Sequence, residues 1–215
     1  MKIPFSINDF LGVFENYNLS LWPAQILFYV LALVAMVMVI KNGPQSDRIV
    51  FAILAFFWIW MGLVYHILFF SAINRAAYLF GAVFIAQGIL FLYQGSVRQN
   101  IRLRFILDAH GVIGIVLILY ALVVYPLFGH LMGHVYPGTP TFGVPCPTTI
   151  FTFGILLFSL NRIPWFCVLI PLLWSLVGFS AALNLSIKED FGLVIAGILS
   201  AVILLIYKPR HQVKQ

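Results

Sequence analysis

The sequence predicts an all-α integral membrane protein, a bundle of about seven transmembrane helices with its N-terminus outside and its C-terminus inside. Three observations carry this expectation. Charged residues make up only 8% of the chain against 63% hydrophobic; the apolar residues gather into seven runs; and most Lys and Arg residues fall on one side of those runs. A soluble domain carries roughly 25% charged residues because its surface must face water. With about a third of that share, most of this surface must face lipid. Aromatic residues reach 16%, which suits a lipid-facing exterior with interfacial belts.

The runs fall at about 22–40, 49–71, 76–94, 105–127, 147–160, 163–184 and 190–207. All but the fifth are long enough, at about 1.5 Å per residue, to cross a hydrocarbon core of about 30 Å. Backbone groups cannot go unpaired in lipid, so runs apolar on every face must be helices, and the absence of alternating strand-like patterning argues against a β-barrel. With seven crossings, Lys41, Arg48, Arg98, Arg102, Arg104, Arg162, Lys208, Arg210 and Lys214 share one side, while Lys2, Arg75 and Lys188 share the other. Basic loops stay cytoplasmic, which sets the orientation. The net charge of +6 is therefore read as a topology signal, and no nucleic-acid partner is expected.

The chain reads as one transmembrane domain, 1–215. Residues 1–21 form an outer interfacial helix, in which Ile7, Phe10, Leu11 and Phe14 recur at helical spacing, and residues 208–215 form a basic cytoplasmic tail. Pro4, Asp9 and Glu15, close behind Lys2, argue against a signal peptide. Trp22-Pro23 is expected to open the first span, and Ser186-Ile187-Lys188-Glu189 resembles a capping box ahead of the last.

The most informative stretch is 129–154, GHLMGHVYPGTPTFGVPCPTTIFTFG. It carries no Lys, Arg, Asp or Glu, yet contains Pro137, Pro140, Pro145 and Pro147. A helix from Thr148 to Leu160 would span about 20 Å against a core of about 30 Å. The Pro-rich segment is thus expected to be re-entrant, dipping into the bundle before the fifth helix, since irregular backbone at that depth must pack on protein or line a cavity. A helix starting there would direct its amide end, with Cys146, Thr148 and Thr149, at a polar or anionic group. The alternative is a short, tilted helix under a structural cap.

Other candidates have both functional and structural readings. His130 and His134, spaced i, i+4, with Cys146 as a third and softer ligand, suggest Zn or Cu; the weak helix former Gly133 and the absence of a nearby carboxylate favour a structural or proton-handling role. His66 and Arg75, near the outer end of the second span and the turn after it, suit capture of an anion or proton relay, or else a satisfied imidazole and a snorkelling guanidinium. Asp108 and His110 read as a functional carboxylate and its neighbour, or as interfacial residues. Cys167 reads as packing, at a different depth from Cys146. Gln25, Gln87 and Gln94 are expected to join helices, and Gly81 and Gly88 to allow close approach. No lysine lies within a span, which excludes a retinal Schiff base, and no Walker, HExxH, GxSxG or CxxC motif is present.

The runs YNLSLWPAQILFYVLAL, WMGLVYHILFFSAINRAAYLFGA, GHVYPGTPTFGVPCPTTIFTFGILL and PLLWSLVGFSAALNL together resemble an uncharacterised family of bacterial polytopic membrane proteins, catalogued as a domain of unknown function. That resemblance implies a small multi-pass protein of the bacterial inner membrane and brings no activity or site residues.

The leading functional expectation is a small-solute or ion carrier or channel, without enzymatic activity, whose site lies under the outer face and is formed by His66, Arg75, Cys146, Thr148 and Thr149. A metal- or haem-binding protein and a non-catalytic subunit or scaffold are the alternatives. Expected partners are the lipid bilayer, a small solute or ion, and a homo-oligomer or membrane partner. Topology is the direct test: a C-terminal green fluorescent fusion should fluoresce and a C-terminal alkaline phosphatase fusion should stay inactive, with the reverse result refuting the orientation.

Overall fold

In a computed structural model that describes residues 4–206, the chain is helical throughout its regular parts. The helices are α1 (Ile7–Ser20), α2 (Ala24–Lys41), α3 (Ser46–Ala72), α4 (Ala77–Arg98), α5 (Ala109–Leu131), α6 (Pro145–Leu156), α7 (Phe166–Leu185) and α8 (Lys188–Ile206). Six of these, α2 to α5, α7 and α8, are long and apolar enough to cross a membrane, and α6 is the short one. The expected seven apolar runs are thus six full-length helices and one truncated helix. The basic tail at 208–215 and Lys2 lie outside the described residues.

The position of α6 explains its composition. Every residue from Pro147 to Ser159 is buried, so the helix has no lipid-facing side and runs through the middle of the bundle. Phe151 packs edge-on against Phe57 and Phe142, and Thr152 accepts a 3.1 Å hydrogen bond from Trp58 Nε1 while donating to the carbonyl of Thr148. Its start corrects the sequence expectation. The helix begins at Pro145, not Thr148, because both prolines fall in the first turn, where a missing N–H breaks no intrahelical bond.

The missing length is made up at both ends. On one side the chain descends from exposed residues 131–133 to fully buried Phe142, Gly143 and Val144, so the Pro-rich segment is re-entrant. On the other side 101–104, expected to be loop, is an extended stretch: Leu160 N–H donates to Arg102 O at 2.8 Å and Arg104 N–H to Phe158 O at 2.9 Å, with Ile101 and Leu103 buried, and the helix expected from 105 begins at Ala109. Asp47 anchors this short ladder by accepting from Leu103 N–H at 2.9 Å and pairing with Arg102. Asp108 is the N-cap of α5, accepting from Gly111 N–H, which gives it a structural role where a functional one had been weighed.

The re-entrant segment is held by α1. Asn18, fully buried, donates from Nδ2 to Pro137 O at 2.7 Å and Thr139 O at 2.8 Å, and its Oδ1 accepts from Thr141 and Gln25. One side-chain amide thus supplies partners to irregular backbone that water would otherwise have to satisfy. The same helix is capped by a Ser6–Asp9 box, which lowers the Asp9 pKa through the hydrogen bonds from Ser6. Its aromatic face is covered by protein: Phe14 stacks on Tyr65, and Tyr17 meets Tyr65 and Phe69 edge-on.

Close helix contact uses paired glycines. A Cβ on Gly62 of α3 would lie 2.7 Å from Gly81 O, and one on Gly81 would lie 2.8 Å from Gly62 O; Gly114 of α5 and Gly154 of α6 stand in the same reciprocal relation at 2.9 Å. Small residues let backbones touch where no hydrophobic effect drives helices together. Gln87 links α4 to α7 by donating to Cys167 O at 3.4 Å.

Replacing Asn18 with Ala strands two carbonyls and the Thr141 hydroxyl at once, while Gln25 keeps its bond to the Asn18 carbonyl. It should lower stability by about 3 kcal/mol, read as a fall in thermal midpoint in detergent, whereas Asn16→Ala on the exposed face should change little. Equal midpoints for the two variants would refute the clamp.

Candidate functional site

At the end of the bundle that carries α1, the local sequence Lys188-Glu189-Asp190 forms a single 3-10 turn that opens α8. Ser186 is the left-handed C-cap of α7, with φ 59°, and the capping box expected from Ser186 and Glu189 does not form. The Glu189 carboxylate turns inward instead, fully buried, with Oε1 2.6 Å from His134 Nδ1; Oε2 has no partner among the described residues. The Glu189 carbonyl accepts from Tyr120 OH at 2.7 Å. Gly129 leaves the space for this carboxylate, since a Cβ there would come within 3.2 Å of Oε1.

Asp190 points to the other side of the turn. Its Oδ1 accepts a 2.5 Å hydrogen bond from Tyr125 OH, and its carboxyl also meets the Cys146 thiol in the first turn of α6. Trp174 of α7 lies beside that thiol, and its Nε1 has no acceptor among the described residues. The sequence places Asp190 next to a charged neighbour at a helix start, which reads as a capped surface turn; the fold buries both carboxylates.

Asp190 and Cys146 form one wall of a chamber of about 440 Å³. The other walls are aromatic: Phe5, Phe10 and Phe14 from the α1 region, Tyr65 and Phe70 from α3, and Trp174 from α7. Ala76 and Phe80 near the start of α4, and Val177 and Ser180 of α7, also line it and reach the exterior of the bundle, so the rim lies between α4 and α7.

Of the residues expected to bind a solute, Cys146 lines the chamber. Thr148 and Thr149 are buried in the packing around α6; Thr148 Oγ1 accepts from Gly143 N–H at 3.1 Å. Arg75 is exposed at the turn before α4, between the chamber-lining Asn74 and Ala76. His66 sits in a π-helical stretch of α3, Met61–Phe69, a geometry that recurs at functional sites. It is fully buried among Phe84, Trp174, Phe80, Phe70 and Tyr65, and neither ring nitrogen has a hydrogen-bond partner among the described residues. Trp174 touches both His66 and the chamber.

The expected metal ligands are placed apart. His130 is exposed, His134 is engaged by Glu189, and Cys146 faces Asp190. Among the described residues no group of three or more His, Cys, Asp or Glu side chains converges to hold a metal ion. Cys146 and Cys167 are free thiols, and Cys167 is fully buried packing.

The amide end of α6 is weaker than the sequence suggested. Pro145 and Pro147 have no N–H, and Thr148 N–H bonds to Val144 O, which leaves Cys146 as the one amide of the first three helical residues without an intrahelical partner. With Asp190 already beside it, this end does not attract an anion; the chamber presents a carboxylate and aromatic faces.

The chain belongs to a family of unknown function (DUF6064), whose model matches residues 7–215. No curated protein and no solved structure matches it.

The unpartnered imidazole gives a sharp test. His66→Leu, a near-isosteric change that removes no protein hydrogen bond, should leave the thermal midpoint in detergent unchanged or raise it. A loss beyond about 1.5 kcal/mol would show that the ring has a partner in the membrane-embedded protein.

Proposed function

We propose that this DUF6064 member is a carrier for small amphipathic organic cations, loaded from the α1 end. That end faces outward in this reading, because Lys41, Arg48, Arg98, Arg102, Arg104 and Arg162 all belong to the opposite end. The observation that carries the proposal is the chamber: aromatic walls that accept an apolar body, and one buried carboxylate that pairs with a positive or donating group. Aromatic faces add cation–π attraction, which is stronger where water is excluded. The rim between α4 and α7 admits a solute that partitions into the outer leaflet.

A carrier fits better than an open channel. Beneath Cys146 the centre of the bundle is filled by α6 and its buried phenylalanines, and its far end is closed by the ladder at 101–104. Transfer across the membrane therefore requires α6 and its surroundings to shift between two packings.

A metal- or haem-binding role has the unpartnered nitrogens of His66 in its favour. A colourless, metal-free purified protein would end that reading.

Proteoliposomes test the carrier directly. Tetraphenylphosphonium should enter faster than into protein-free vesicles, with saturation. Asp190→Asn, which removes the carboxylate, and Ala181→Trp, which fills the chamber, should each cut the protein-dependent rate about tenfold or more, as expected when a buried charge pair worth 2–5 kcal/mol is lost; Asn16→Ala should not. Absence of protein-dependent uptake for cationic, neutral and anionic amphiphiles alike would overturn the proposal.

A further inference from the structure

The buried acids at the start of α8 have a charge count that the surrounding side chains do not balance. Glu189 is fully buried and Asp190 nearly so, and the two are adjacent. The groups facing them are His134 from the re-entrant segment, Tyr120 and Tyr125 from α5, Cys146 from α6 and Tyr65 from α3, while α7 contributes Trp174. Of these, His134 is the one that can carry positive charge. Lys188 and Arg75 are exposed, and among the described residues neither pairs with these carboxylates. Even with His134 as imidazolium, two ionised carboxylates leave one negative charge buried without a counterion among the described residues.

An uncompensated charge inside a bundle costs several kcal/mol, and a buried acid avoids it by binding a proton. The geometry provides for one. Among the described residues Glu189 Oε2 is buried with no donor to it, an oxygen free to carry hydrogen, while Asp190 accepts from Tyr125 and has no cation beside it. His134 retains some exposure, with 13% of its side chain accessible, and so connects water at the α1 end to Glu189; Asp190 connects the pair to the chamber.

We infer that Glu189 and Asp190 hold one exchangeable proton between the two of them, on one carboxyl or the other, loaded through His134, and that a cation entering the chamber displaces it. The exchange balances in charge: the protonated pair releases H⁺ to water through His134 as the solute cation takes its place beside Asp190. The exchange rests on the carrier reading, whereas the proton does not.

Infrared spectroscopy of the purified full-length chain tests the proton without any transported solute. At neutral pH the wild-type spectrum should contain the carbonyl stretch of a protonated carboxyl, shifting in heavy water. That band should be lost or displaced in Asp190→Asn and in Glu189→Gln, and preserved in Glu15→Gln on the exposed face of α1. No such band in the wild type, or a band indifferent to both variants, overturns the inference. Replacing choline chloride by sodium chloride at fixed pH should leave the band in place; its disappearance would assign the counterion to sodium and overturn the proton. Added tetraphenylphosphonium should remove the band if the cation displaces the proton, and a band that persists at saturating tetraphenylphosphonium refutes the displacement. A band with no protein-dependent uptake separates the two claims, keeping the proton and defeating the carrier.

Discussion

A helix of twelve residues spans about 18 Å, and a hydrocarbon core is about 30 Å thick. Placing such a helix in the middle of a membrane bundle leaves irregular backbone at both of its ends, at depths where lipid offers no hydrogen bonds. Much of the rest of the architecture answers that constraint. At one end Asn18 of α1 supplies an amide to the carbonyls of Pro137 and Thr139; at the other, the 101–104 stretch supplies a short ladder anchored by Asp47. The helix itself is sealed by neighbours on every side, with glycine pairs bringing α5 against α6 and α3 against α4.

The same short helix creates the chamber. Because α6 stops at Pro145, the space between it and α1 is closed by side chains, and those of α1, α3 and α7 are mostly aromatic. Into its wall the turn before α8 projects Asp190, while Glu189 is drawn the other way by His134. Adjacent residues on a 3-10 turn diverge in direction, so one acid faces the chamber and its neighbour faces the re-entrant segment. A polar cluster enclosed in this way is costly unless its charges are balanced, which is why intramembrane ionisable residues point to function.

His66 shows the opposite pattern. Among the described residues its ring nitrogens have no hydrogen-bond partner; aromatic rings surround it, and it is held within a widened turn of α3. Trp174 separates it from the chamber and touches both.

What the sequence determined by itself was what composition and period can encode. Lipid exposure follows from the scarcity of charge; the positions of the apolar helices follow from run length; and the re-entrant segment follows from an uncharged, proline-rich stretch ahead of a span too short to cross. Gly81 allows a close approach, Gln87 joins two helices and Cys167 packs, as their residue types suggest, because packing residues in a membrane have few alternatives. The start of α6 was displaced by three residues, since prolines that break a helix interior are welcome in its first turn. The site was decided by tertiary structure. Glu189 lies 55 positions from His134, and Asp190 lies 65 from Tyr125. In sequence the two acids sit beside Lys188 at a helix start, where acids ordinarily cap and face water. Only the packing of α5, α6 and α8 around one turn buries them, because burial of a charge depends on which distant surfaces close over it, and no local pattern records that.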